Sequence, residues 1–505
     1  MKRDPRGGMS VVLGLSLGLV GACAHAPAGE IVEARDLDEA ESAPAITHIA
    51  ELGGSDVVVP GRVGAGVGDQ IAVVGEGLWI QGRAFGRQPT VLIAGLPAYV
   101  QARTADAGIV VRVPTGVPIG KQTLQVRTRA GLAEAVLNVR RYAAAWNNEG
   151  ALHWVAAPSP TSAAAVVASK NAAPPVAKLA FSSDGRAAYT VDPAAKHLNV
   201  FDVTAQGGPQ VAFSLELEGT PVLALETAAA APVLAVVRSK DVLVFETTSA
   251  IRPPRGRPRA LPEDIVMALQ TANTSGVPIA AALSPDGRYL ALTIESENRV
   301  VLLSLTDRDQ AKVVASVVVD ASVRAPSIFD LGFSVEGGTL WALCGPRAAA
   351  ESQGSRPTVM VALKLSKEAS GIRLAIGHRS ELAAGVPWAL GVSRSRPLPS
   401  GAAIRRPPQM AQVMLAAAGQ GADESAALII AVGAEGPSTV SAVAGHVTDL
   451  LIEPMGQFAL SSVLNSEGAV NLLWLRADGR EAETQSMSLW PSSAHVKAAW
   501  LDVQP

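Results

Sequence analysis

Cysteine is nearly missing from this 505-residue chain, which holds only Cys23 and Cys344, too few for a disulfide framework in the folded part. Aromatic residues reach 4% and charged residues 17%; so few rings argue against a carbohydrate cleft built on stacking. No uninterrupted apolar run attains the roughly 20 residues of a spanning helix, so the mature part is expected to be soluble. Charge of one sign does not dominate either. A net charge of -3 excludes a surface built throughout to hold nucleic acid. Catalytic signatures are missing too: there is no HExxH pair, no GxSxG elbow and no EF-hand loop. His153, His197, His378, His446 and His495 stand isolated, so no metal or cofactor is expected unless the fold brings distant residues such as His153 and His495 together. Cys344 follows a short apolar run and reads as a buried small hydrophobe.

The chain opens with Lys2, Arg3 and Arg6, an apolar segment at 11–20 and then small residues, the layout of a secretory signal. Asp4 is unusual there, and Met9 is an alternative start. Val20, Gly21, Ala22 and Cys23 together resemble a bacterial lipobox. That resemblance implies cleavage before Cys23 and acylation of its thiol, an anchor whose affinity grows with each buried methylene. Ala24, a non-aspartate after the cysteine, points in such lipoproteins to the outer membrane. Residues 24–55 are rich in alanine and acid, including Glu30, Glu33, Asp36, Asp38, Glu39 and Glu41, and are expected to be a flexible tether.

Over 56–141, apolar and β-branched runs alternate with glycine and proline: IAVVG, LWIQG, TVLIAG, IVVRVP, TLQVRT and AVLNVR. Runs of this length and spacing predict a small antiparallel sandwich. Gly68, the stretch from Leu78 through Trp79, Gly82, Phe85 and Gly86, and Gly95, Pro114 and Gly120 resemble the Ig-like IPT/TIG family. Gly82 and Gly86 suit a turn needing positive φ, and Phe85 a plug at the sandwich end. Gly64, Gly66 and Gly68 do not suggest a nucleotide cradle, because a strand follows where a helix would be needed.

The region 142–505 repeats itself. VAKLAFSSDGRAAYT, starting at Val176, matches IAAALSPDGRYLAL, starting at Ile279, and each copy is followed by two further strand-like runs. Four strands in about 45 residues are the signature of a propeller blade, with Asp184-Gly185 and Asp286-Gly287 as hairpin turns. Weaker copies run over 221–247, 329–365, 387–432 and 447–489. The last run, 496–503, is expected to join 152–156 and 164–168 and close a seventh blade. The Asp-Gly turns resemble those of YVTN and Trp-Asp-repeat propellers. The expected fold is therefore all-β, a small Ig-like sandwich followed by a β-propeller of about seven blades.

Two basic, proline-rich stretches interrupt this rhythm and read as loops: one carries Arg252, Arg255, Arg257 and Arg259, the other Arg396, Arg405 and Arg406. Arginine grips phosphate or carboxylate bidentately, so these are the candidate contacts for an anionic ligand or partner. The expected function is that of a non-enzymatic, lipid-anchored binding or scaffold protein of the cell envelope, engaging envelope proteins or polysaccharide. Two alternatives stay open. A propeller enzyme of lactonase-like or quinoprotein-like type requires His, Asp, Glu or Arg converging at the central channel. A structural subunit of a secretion, assembly or motility machine requires an apolar patch on one propeller face.

Overall fold

The computed structural model of the protein describes residues 42–51, 71–104, 108–157, 165–167, 174–205, 208–218, 220–247, 255–275, 279–294, 298–319, 327–334, 336–345, 357–369, 371–384, 387–392, 414–420, 426–433, 436–452, 458–476, 485–490, 496 and 498–504. Cys23, Arg252, Arg396, Arg405, Arg406 and His495, with the leader, the glycines at 64–68 and the tether as far as residue 41, lie outside them.

The chain begins with β1 (Ala45–Glu51), β2 (Ile71–Val73), β3 (Gly77–Arg83), β4 (Thr90–Ile93), β5 (Leu96–Ala98), β6 (Val100–Thr104), β7 (Gly108–Arg112), β8 (Gly120–Thr128) and β9 (Gly131–Asn147). One sheet has the order β1-β3-β7-β6; the other pairs β9 with β8, β8 with β4, β4 with β5, and adds β2 parallel to β9. Their facing sides share one core that includes Leu78, Ile80, Ile93, Leu124 and Leu137. The tether expected over 24–55 therefore ends before Ala45. Ile46 and Ile49 on β1 pack into this core, which an acidic, solvated segment could not do. Phe85 does plug the core, but Gly82 serves a purpose other than the positive φ expected of it. It lies within β3, and a Cβ there would sit 2.1 Å from the Ala45 carbonyl and 2.3 Å from the Phe85 ring. Gly86 does take the left-handed conformation, at φ 62°.

β9 crosses the boundary expected at 141/142 without a break. Its first half pairs with β8, and its second half, from Arg141 onward, pairs with β10 (Leu152–Ala157), which pairs in turn with β11 (Ala165–Val167). Five further sheets and a sixth follow, each a meander of four successive strands. They are β12 (Lys178–Phe181), β13 (Ala187–Val191), β14 (His197–Asp202) and β15 (Gln210–Glu216); then β16 (Val222–Thr227), β17 (Val233–Arg238), β18 (Asp241–Glu246) and β19 (Arg255–Ala260), with α1 (Glu263–Ser275) after it. Next come β20 (Ala281–Leu283), β21 (Tyr289–Ile294), β22 (Arg299–Ser304) and β23 (Lys312–Val318), and β24 (Ser327–Phe333), β25 (Thr339–Gly345), β26 (Pro357–Glu368) and β27 (Gly371–Ala384). The last two are β28 (Pro387–Val392), β29 (Met414–Gln420), β30 (Ala426–Gly433) and β31 (Gly436–Ala444), and β32 (His446–Ile452), β33 (Phe458–Leu464), β34 (Val470–Arg476) and β35 (Gln485–Trp490). The C-terminal β36 (Ala499–Val503) pairs antiparallel with β9, not with β10 as the sequence suggested. The first strands β12, β16, β20, β24, β28, β32 and β36 each neighbour the next, and β36 neighbours β12, so the sheets close into a ring, the β-propeller arrangement.

Local chemistry sets each repeat. In the first turn, Ser182 Oγ donates to Asp184 Oδ1 at 2.6 Å and accepts the Ala187 N–H at 3.0 Å, while Gly185 takes φ 72°. Ser284, Asp286 and Gly287 repeat this at 2.7 Å, 2.9 Å and 71°. Such a turn needs both the short carboxylate and the missing Cβ. The alternating apolar residues of each strand then pack against neighbouring sheets, as Leu283, Leu290 and Val301 do against Ala235, Val237 and Val244.

The stretch of Arg255, Arg257 and Arg259 is not a loop: it is β19, the outer strand of its sheet, in register with β18 from Glu246↔Arg255 to Asp241↔Ala260. Proline is tolerated there because an edge strand leaves one N–H side unpaired. The repeat expected to end near 432 likewise continues to Ala444 through β31. α1 has no counterpart in the strand-by-strand reading. Glu263 and Asp264 favour its positive N-terminal end, and Ile265 and Leu269, one turn apart, are buried in the core shared with β18 and β21.

The last described residue, Gln504, ties the two units together. Its buried side-chain amide accepts the Tyr142 N–H at 2.6 Å and donates to the carbonyls of Val74 at 3.2 Å and Gly185 at 2.6 Å. Replacing Gln504 by alanine leaves these three backbone groups without their partner, at about 1–3 kcal/mol for each one that stays unsatisfied. Urea unfolding of Gln504→Ala should show a loss of at least about 2 kcal/mol; a loss below about 0.5 kcal/mol would contradict this role.

Candidate functional site

The ring encloses a central channel of about 480 Å³. Among the described residues, its charged lining consists of Lys178, Glu226, Asp330, Asp449 and Asp502, each from a first strand. None of them belongs to a motif. They converge because every sheet turns its first strand toward the axis.

Two of the aspartates occupy the same register. Asp330 and Asp449 each follow a bulge, between Ile328/Asp330 on β24 and between Val447/Asp449 on β32. The bulge turns the side chain so that the two carboxylate oxygens serve two backbone groups. Asp330 Oδ1 accepts the Leu331 N–H at 2.8 Å, and Oδ2 accepts that of Leu390, on the next sheet's first strand, at 3.2 Å. Asp449 does the same with Leu450 at 2.8 Å and Leu501 at 2.7 Å. Asp502, one rung further on, accepts the Val503 N–H at 2.9 Å and that of Phe181 at 3.0 Å. A carboxylate bound to a backbone N–H contributes roughly 1.5–3 kcal/mol net. Both neighbours of the closing strand β36 are thus strapped to it, β32 through Asp449 and β12 through Asp502. Thr448 Oγ1 and Ser462 Oγ add bonds to the Ala499 carbonyl at 2.7 Å and 2.9 Å.

The straps crowd like charges together. Burial pushes the Asp449 carboxyl up to about 7; the charges of Asp330 and Asp502 add to this, and the N–H groups of Leu501 and Leu450 oppose it. Lys178, in the register of Asp330 and Asp449, is held below the usual lysine range by burial, with Glu226 and Asp449 pulling it back. Acidic groups therefore do converge at the channel, as an enzyme would require, yet three of the four carboxylates hold neighbouring strands. Only a partial signal for them exists in the sequence: Lys178 and Asp330 each stand four residues before a turn serine, Ser182 and Ser334, whereas Glu226, Asp449 and Asp502 do not.

Of the residues singled out by sequence, Arg257 on β19 is exposed and Arg259 half-buried. Burial lowers the Arg259 guanidinium from its usual range, against the attraction of Asp307 and Glu246. The structure brings Arg255, Arg257 and Arg259 onto alternate positions of one strand, away from the channel. His153 packs against the Trp490 ring, centroids 4.7 Å apart, and burial lowers its basicity. Asp184 and Asp286 are turn residues, and Cys344 is a free, buried thiol. Among the described residues no three His, Cys, Asp or Glu side chains come together so as to hold a metal ion, and no helix is long and apolar enough to cross a membrane.

The raised Asp449 carboxyl makes stability depend on pH. Because the folded group keeps its proton to a higher pH than the unfolded one, its contribution is full below about pH 4 and is lost as pH rises through about 7. Asp449→Asn removes that dependence. Between pH 4 and pH 8 the urea-unfolding free energy of the wild type should fall relative to the variant by on the order of 3 kcal/mol. A gap that stays constant with pH would refute the assignment.

No protein-family profile matches the sequence, and no curated protein does so either. Similar solved structures include a candidate 6-phosphogluconolactonase from Bacteroides uniformis (16% identity, 72% of this chain and 99% of that one, TM-score 0.47) and apo AztD from Citrobacter koseri (10%, 72% and 99%, 0.45). Another is the β-propeller domain of Cps50 (Swd1) from Myceliophteria thermophila (12% identity, 63% and 92%, 0.38). At this distance no activity passes from them to this chain, whose fold rests on its own strand order.

Proposed function

We propose that the chain is a lipid-anchored scaffold of the bacterial cell envelope, held at the outer membrane through acylated Cys23 and engaging envelope proteins or polysaccharide through its outer surfaces. In this reading the N-terminal unit is an Ig-like sandwich of the IPT/TIG type. The ring is a seven-bladed propeller, with β36, β9, β10 and β11 as the closing blade. The observation that carries the proposal is the commitment of the channel carboxylates: Asp330, Asp449 and Asp502 each use both oxygens on backbone N–H groups of their own and the next strand. The channel's acids then serve ring closure, and recognition falls to the exterior. There Arg257 stands exposed on an edge strand, where guanidinium groups suit carboxylate or phosphate. Shared use of β9 also couples the two units, as suits a part that presents surfaces in fixed relation.

The reading is tested by comparing the native protein with Cys23→Ala. The wild type should carry acyl chains and pellet with membrane while the variant is released. Two soluble, unmodified proteins would sink the anchor. Proximity labelling of the membrane-held form should nominate neighbours, some of which are lost from an Arg257→Ala/Arg259→Ala double variant; an unchanged set would remove the β19 arginines from the interface.

A further inference from the structure

We propose that Lys178 is a reactive amine of the central channel that condenses with small uncharged aldehydes. This goes beyond the scaffold reading and does not depend on it.

The position that Lys178 occupies recurs around the ring, four residues before the turn serine or its counterpart. Asp330 and Asp449 fill it with straps, and alanine at 224 and 280 fills it with a small side chain. Lys178 fits neither class. An ammonium has no lone pair to accept a backbone N–H, so it cannot make the strap that Asp330 and Asp449 make, and it places an amine in the channel lining where alanine stands at positions 224 and 280. Its attraction to carboxylates is exerted through space by Glu226 and Asp449. Ala224, Ala228 and Ala280 line the same channel with small side chains. At about 480 Å³ the channel falls within the range of small-molecule sites.

These surroundings favour one chemistry. Poor solvation of the ammonium increases the share of neutral amine, which is how buried lysines become nucleophiles toward carbonyl compounds. The neutral nitrogen bonds to the aldehyde carbon and forms a carbinolamine. The C–O bond then breaks, both protons that began on nitrogen leave with the oxygen as water, and a C=N bond remains. No oxidant or reductant takes part. Glu226, Asp330, Asp449 and Asp502 give the lining an acidic balance against one lysine, so an uncharged aldehyde enters more readily than an anionic one.

The test treats the full-length protein at pH 7 with propionaldehyde and cyanoborohydride, which reduces any imine to a stable amine, and maps the products by mass spectrometry. Exposed Lys121 and Lys196 serve as internal references. Labelling of Lys178 should be several-fold faster than at either, and a rate equal to or below theirs overturns the proposal. Glyoxylate, an anionic aldehyde, should lose that advantage at Lys178; equal preference for both probes overturns the assignment to uncharged aldehydes. Lys178→Arg, which keeps the charge and a long stem, should lose the product while Lys121 is labelled as before. Persistence of the product on the same peptide means that another residue is the nucleophile, and the proposal fails.

Discussion

The antiparallel pairing of β36 with the second half of β9, from Ala499↔Asn147 to Val503↔Ala143, is the constraint on which the rest of the structure depends. A ring of sheets closed by chain ends has one joint with no covalent continuity, and an open joint would leave two strand edges exposed. Several side chains reinforce this joint. Asp449 and Asp502 strap it from both sides, Thr448 and Ser462 bind the Ala499 carbonyl, and Trp500 stacks on Trp146 across the pair, centroids 6.4 Å apart. At the register of Asp449, alanine stands at positions 224 and 280, while Asp330 straps β24 to β28.

Because β9 also belongs to the N-terminal unit, the strand that receives β36 at ring closure is shared by both units. Gln504 reads both at once through Val74 on one side and Gly185 on the other. The turn that sequence identifies as a propeller hairpin is thus also a contact surface for the N-terminal unit, since a Cβ at Gly75 would lie 3.0 Å from the Asp184 carbonyl. Two units linked only by a flexible connection would move independently. Here a shared strand and a buried amide remove that freedom, and surfaces on both can be presented together.

The same straps that close the ring set its electrostatics. Burial of carboxylates drawn into the channel by their duties to backbone N–H groups, with repulsion from Asp330 and Asp502 added to it, raises the affinity of Asp449 for a proton. Lys178 relieves part of the excess charge, at the cost of a poorly solvated ammonium. Ring closure and the electrostatics of the channel therefore arise from one arrangement, while the arginines of β19 lie on the outer edge of a different sheet.

Sequence by itself determined the all-β character, the repeat period and most strand positions, because alternating apolar residues and Ser-x-Asp-Gly turns act over a few residues and leave a local record. It was also enough to identify Asp184 and Asp286 as turn residues and Cys344 as interior. It misjudged β19, whose prolines and arginines look like a loop until the unpaired edge that tolerates them is known, and it passed over α1, where a strand rhythm gives way to an i, i+4 pair at Ile265 and Leu269. Only the tertiary structure decided that β9 serves both units, that β36 pairs with β9, and that Lys178, Glu226, Asp330, Asp449 and Asp502 share one channel. Those residues come from five different sheets, and a site assembled by the closure of a ring has no signature in the spacing along the chain.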